Sequence, residues 1–115
     1  MESIAEIETQ TLRIPIADGW IDEAQENSLV KVHQGLFDES IADALEVEVV
    51  RLMRSSRCIL VDLSEVQTMS AIGIMRLNEL KRRAGLACIA IYFFCFEARM
   101  IARLEASGLG ELLLS

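Results

Sequence analysis

Cys58-Ile59-Leu60-Val61-Asp62-Leu63-Ser64-Glu65-Val66, with Ser70-Ala71-Ile72-Gly73-Ile74 four residues further on, is the stretch from which the fold is read. Cys58–Val61 is continuously apolar, as expected of a central strand buried on both faces. A helix follows from about Ser70. Its Ile74, Leu77, Leu80 and Ala84 fall on one side, while Arg76, Glu79, Arg82 and Arg83 fall largely on another. Glu79 and Arg83 are ordered for an i,i+4 ion pair, and Gly85 is expected to close the helix. Ala87–Phe94 is a second apolar run and hence a second buried strand. Such a strand-helix-strand unit closes right-handed onto a parallel sheet.

Working towards the N-terminus, Ile41, Leu45, Val49 and then Leu52 or Met53 recur at helical spacing, with Ser40 or Asp38 as the cap and Ser55-Ser56 as the end. Gly35 breaks the chain before this helix. Ser28–His33 alternates as a strand, Glu26-Asn27 reads as a tight turn and Trp20–Gln25 as a short strand, together a leading β-hairpin. Towards the C-terminus, Glu97–Ser107 makes a third helix, stopped by Gly108 with Leu109 behind it, and Glu111–Leu114 a last short strand. The expected architecture is therefore α/β, a hairpin followed by βαβ units, with helices packed on a mostly parallel sheet of four to five strands. Residues 20–115 form this domain. Residues 1–19 read as an extension: Thr11–Ile16 alternates like a strand, but Pro15 restricts it to an edge or an extended arm. On an exposed edge it could pair between chains and give a homodimer.

The chain of 115 residues is 52% hydrophobic, enough for a core without disulfides or metals. No apolar run reaches the roughly 18–20 residues of a membrane span, so direct membrane insertion is not expected. Met1–Glu6 lacks the order of a signal peptide. Cys58, Cys88 and Cys95 are odd in number and scattered; they read as small buried hydrophobes in a reducing, cytoplasmic setting. His33 is the only histidine, so no metal site is expected. The net charge of −7 is uneven: residues 1–49 hold twelve acids and two bases, residues 50–115 six acids and nine bases. Such a chain is a poor nucleic-acid ligand, because binding phosphates takes clustered cations. No nucleophile-base pair and no phosphate-cradling loop is present, so neither catalysis nor a cofactor is expected.

The order of these landmarks resembles the STAS domains, the anti-sigma factor antagonists of bacteria and the related cytoplasmic domains of sulfate transporters. The family pattern is an apolar strand, Asp-Leu-Ser, a short loop and Asp-Ser-Ser-Gly opening a helix. Gly35, Phe37 and Asp38 resemble its Gly-x-Leu-Asp; Lys81–Gly85 and Leu104–Leu109 resemble its later landmarks, so the resemblance covers residues 20–115. It implies a role in signal transduction or transcription regulation through protein–protein interaction. The implied partners are a serine kinase acting as anti-sigma factor, or other STAS proteins. The early C-terminus resembles instead the shorter STAS subunits of lipid-import systems, which implies a docking domain bound to transporter subunits.

The departures from the pattern fall where the family carries its phosphoserine. That position is Ala71, the preceding Asp is Ser70, the second Ser is Ile72, and only Gly73 is retained. Ala71 has no hydroxyl to phosphorylate. Ser70 is either a plain helix cap or a displaced phosphosite; Thr68 and, more weakly, Ser64 are further candidates. Around them, Gly35, Asp38, Met69, Ser70, Ala71, Ile72, Gly73, Met75 and Arg76 make up the expected partner-binding region. Periodicity places most of Met69, Ile72 and Met75 in the core, with one or two left to centre an apolar patch. Arg76 and Arg83 read as a solubilising face. A small-ligand site, with the loops at Gly35 and Gly73 cradling an anion or lipid, is the third expectation.

Overall fold

The central strand, β4 (Cys58–Asp62), alternates rather than being buried throughout: Ile59 and Val61 are fully buried, whereas Cys58, Leu60 and Asp62 are half-buried. The computed structural model, which describes residues 6–13 and 26–114, gives the reason in its topology. A five-stranded sheet has the order β1-β2-β4-β6-β7, with β1 (Ile7–Arg13), β2 (Glu26–Val32), β6 (Ala90–Phe94) and β7 (Leu113–Leu114). β2, β4, β6 and β7 are parallel and follow one another across the sheet in chain order. Right-handed crossovers that all step the same way put every helix on the same face. That face carries Val30, Val32, Ile59, Val61, Ile91 and Phe93, each at most 4% exposed. Leu29, Leu60 and Tyr92, in register across β2, β4 and β6, line the other face and are half-buried. An apolar run alone does not tell one covered face from two.

Glu26-Asn27 is not a turn. Both residues belong to β2, whose antiparallel partner is β1, paired from Ile7↔Val32 to Arg13↔Glu26. The hairpin partner thus comes from the stretch read as an extension. The expected strand Trp20–Gln25 and residues 14–16 of the expected edge strand lie outside the described residues. β1 is fastened to the helical face by the Thr9 hydroxyl, which donates to the Glu48 carboxylate.

The helices are α1 (Glu39–Leu52), α2 (Ala71–Leu86) and α3 (Ala98–Ala106). Asp38 caps α1, its carboxylate accepting from Ile41 N at 3.1 Å. Leu45, Val49, Leu77, Leu80, Ala84 and Leu104 join the sheet residues in one core. Gly85 does not close α2; the helix runs on to Leu86, and the left-handed residue is Cys88 at φ 58°. That residue also departs from the expectation of three buried thiols: Cys95 is buried, Cys58 half-buried, and Cys88 exposed in the turn before β6. Burial pushes the Cys58 and Cys95 thiols up. α3 ends as read, with Gly108 at φ 89° and Leu109 fully buried, its N–H donating to Leu104 O at 3.0 Å. The last strand is shorter than expected, because Gly110–Leu112 forms a 3-10 turn first.

Glu79 pairs with Arg82 instead of Arg83. Arg83 and Arg76 both reach across to Glu46 on α1, at 3.1 Å and 2.8 Å, and Arg76 also meets Asp43 at 2.7 Å. The presumed solubilising face is an inter-helix clamp. It joins acids from the first half of the chain to bases from the second, which is where part of the uneven charge goes.

Candidate functional site

A second, two-stranded parallel ladder that sequence reading missed builds the region singled out above. β3 (Leu36–Phe37) pairs with β5 (Thr68–Met69), in register Leu36↔Thr68 and Phe37↔Met69. Gly35 O accepts from Gln67 N (2.7 Å) and Thr68 N (3.0 Å), and Phe37 O from Ser70 N (3.0 Å). Two-residue strands carry no periodicity, so no sequence signal announces them. Their effect is to seat the start of α2 directly against the start of α1.

Ser70 is the N-cap of α2. Its backbone is extended (φ −73°, ψ 161°), and its Oγ accepts from Gly73 N at 3.0 Å, satisfying one of the orphan donors of the first turn. The hydroxyl is thus engaged, and Ser70 is half-buried. Gly73 is needed sterically: a Cβ there would lie 2.6 Å from Phe37 O and 2.7 Å from Phe37 Cδ1. Met69 is 3% exposed and belongs to the core. Met69 and Gly73 therefore lie beneath the region and offer a partner no surface. Asp38 is occupied in capping α1, and Arg76 is held by Asp43 and Glu46.

What reaches the surface is apolar. Leu36 is 49% exposed, Ile72 46% and Met75 67%, with Ala71 and Thr68 exposed between β5 and the helix. Ile72 and Met75 are one turn apart on α2, and Leu36 adjoins Phe37, which packs on Gly73. Phe96, also exposed, lies in the loop after β6 and stacks edge-on against Phe94 at 4.5 Å. Large apolar side chains exposed on and beside a rigid helix start suit a docking surface. The loops at Gly35 and Gly73 do not form the expected ligand cradle. The Gly35 carbonyl is taken by the β5 amides, and the open side of Gly73 is filled by Phe37.

The sequence also gave no sign of the arrangement around His33, just past β2. Its Nε2 lies 2.7 Å from Glu8 Oε1 on β1, and its Nδ1 lies 2.9 Å from Glu65 Oε2 in the loop after β4. Lys31 Nζ lies 3.3 Å from the same Glu65 oxygen. Hydrogen bonds to Glu8 first, and then to Glu65, raise the imidazole above its usual range. Lys31 and His33 hold the Glu65 carboxyl below its own. Among the described residues no set of three His, Cys, Asp or Glu side chains is placed to hold a metal ion. No described helix is long and apolar enough to cross a membrane.

No protein-family model and no curated protein sequence matches the chain. Solved structures do. The murine Solute Carrier 26 family member A9 anion transporter, in its inward-facing state, matches over 90% of this chain at a TM-score of 0.63 and 16% identity. A second SLC26A9 structure matches over 90% at 0.60 and 11%. A structure titled Mglu matches over 58% at 0.53 and 18%. This chain covers 18%, 20% and 17% of those three chains respectively, less than a fifth or at most a fifth of their lengths. At such identities the likeness is one of fold: an α/β domain like one contained in the two SLC26A9 chains.

Proposed function

We propose that the chain is a non-catalytic protein-binding module that docks a partner through the start of α2. The observation that carries this reading is the exposure of Leu36, Ile72 and Met75 around a helix start whose backbone is fixed by Ser70, Gly73 and Phe37. Apolar side chains on a backbone already fixed add no backbone-ordering cost on binding and gain roughly 25 cal/mol for each Å² of apolar area removed from water. STAS-like behaviour fits the same surface, with one change. Ala71 lacks the hydroxyl and Ser70 Oγ is engaged as a cap, so docking is not switched by phosphate at the usual position.

Two partner classes are in view. A regulatory partner of the anti-sigma kinase type follows from the sequence resemblance. A membrane transport complex, with this chain as its docking subunit, is favoured by the fold shared with the anion transporter chains. The test is affinity purification from cells with wild-type and I72E/M75E baits. Permease or ATPase subunits retained by the wild type and lost by the variant support the transport reading, whereas a serine kinase lost in the same way supports the regulatory one. Identical captures by both baits would overturn the docking surface.

A further inference from the structure

Beside the proposed docking face, a cavity of about 400 Å³ opens between Gln67–Met69 and the first turns of α3. It lies outside the carboxyl ends of β4 and β6, and its volume falls within the usual range for small-molecule sites. Its floor is apolar, formed by the buried Met69 and Met100. Thioether side chains there adapt to the shape of what they cover.

The rim is cationic, in a chain of net charge −7. Among the described residues Lys31, Arg51, Arg76, Lys81, Arg82 and Arg83 each have a carboxylate within 4 Å; Arg99 and Arg103 on the cavity rim have none, nor have Arg54 and Arg57 elsewhere. Arg99 stands in the first turn of α3, where a cation opposes the helix dipole. Local stability does not account for that placement. Arg103 is oriented by its Nη1, which donates to Met69 O at 2.5 Å and leaves its other donors for a ligand. The one acid in the wall, Glu97, is engaged in capping α3, its carboxylate accepting from Arg99 N at 3.2 Å and Met100 N at 2.9 Å.

A second cavity, near Arg54, Arg57 and the exposed Cys88, lacks this logic. It sits where α1 and α2 both end, so their carbonyl termini disfavour an anion and already account for the arginines.

We propose that the α3 cavity binds a small amphipathic anion, an aliphatic body on the Met69–Met100 floor with a carboxylate or phosphate head between Arg99 and Arg103. The site goes beyond protein docking and does not depend on it, although Met69 adjoins Ser70 and links the two places. The experiment titrates the full chain, labelled with 13C at its methionine methyls, with octanoate, octyl phosphate, 1-octanol and inorganic phosphate, all below micelle-forming concentrations. Octanoate, octyl phosphate or both shift the Met69 and Met100 methyls saturably and leave Met53 unmoved. The tighter of the two identifies the head group. Octanol and inorganic phosphate bind at least about ten-fold more weakly, because each lacks half of the match. Arg99→Gln, at a side chain with no ion pair to another described residue, weakens binding by about ten-fold or more with an unchanged thermal midpoint, and Arg103→Lys weakens it less than Arg103→Gln. Three results would overturn the assignment: no saturable shift with either anion, octanol or inorganic phosphate binding as well as the anions, or an Arg99→Gln/Arg103→Gln protein that binds as the wild type does.

Discussion

Gly73 serves a packing need. Its Cα faces the Phe37 carbonyl and ring so closely that a methyl group would overlap both. The obstacle on one side is backbone, which cannot rotate away. Gly73→Ala is expected to lower stability by about 1–3 kcal/mol through overpacking, despite alanine's better helix propensity. Urea unfolding followed by circular dichroism measures this; an unchanged midpoint would mean that β3 and α2 can separate freely. Ile72 and Met75 are legible in the same motif only as apolar letters. Which of them faces solvent depends on where β3 and β5 place the helix, and those two-residue strands leave no periodic trace.

At the scale of the element, the start of α2 separates capping from signalling at Ser70. Ser70→Ala removes the Oγ that accepts from Gly73 N, so a loss of about 1 kcal/mol is expected. Ser70→Asp keeps an acceptor at the same place, because aspartate is as good a cap as serine and its charge suits a helix N-terminus. It should therefore unfold close to the wild-type midpoint. Chemical denaturation of the two variants side by side decides the matter: equal losses would show that aspartate does not replace the serine cap, and no loss in Ser70→Ala that the cap hydrogen bond contributes nothing. A consequence for docking follows. Any binding defect of Ser70→Asp arises from charge at the surface, with no contribution from a weakened helix. The Ser70 cap, and the α1 cap as either Asp38 or Ser40, were readable from residue type and spacing, whereas the Glu46 clamp was not, since its two arginines lie 30 and 37 residues away.

Across the whole molecule, His33 fastens β1, the end of β2 and the loop after β4 to one another. Both ring nitrogens face carboxylates, so the doubly protonated ring satisfies the geometry and the neutral ring leaves one contact without a proton. The groups around it are Glu8 on β1, Lys31 on β2 and Glu65 in the loop. With its pKa raised on folding, His33 contributes stability fully below its ordinary value of 6.5 and loses it as the pH climbs through the higher folded value. Wild-type stability should therefore fall between mildly acidic and mildly alkaline pH by more than that of His33→Gln. As the only histidine, His33 also gives a single imidazole resonance whose titration by NMR reads the shift directly. A midpoint at or below 6.5, or the same pH dependence in both proteins, would dispose of the clasp. Glu48 adds to the acid side of the profile: Arg51 above all, and the Thr9 hydroxyl, hold it down to about 2, so its contribution is lost only as the pH falls towards that value.

The sequence by itself determined the order of the longer strands and helices from Ser28 onward, Ser70 and either Asp38 or Ser40 as capping side chains, the glycine stop at Gly108, and the lack of a hydroxyl at Ala71. All of these depend on local residue chemistry and on periods of two and 3.6 residues. Only the tertiary structure decided that β1 supplies the hairpin partner, that one face of the sheet carries every helix, and that Met69 is buried while Met75 is exposed. It alone placed Arg99 and Arg103 beside Thr68. Those outcomes depend on contacts between residues tens of positions apart, and the direction of each crossover, which a linear pattern does not contain, sets them.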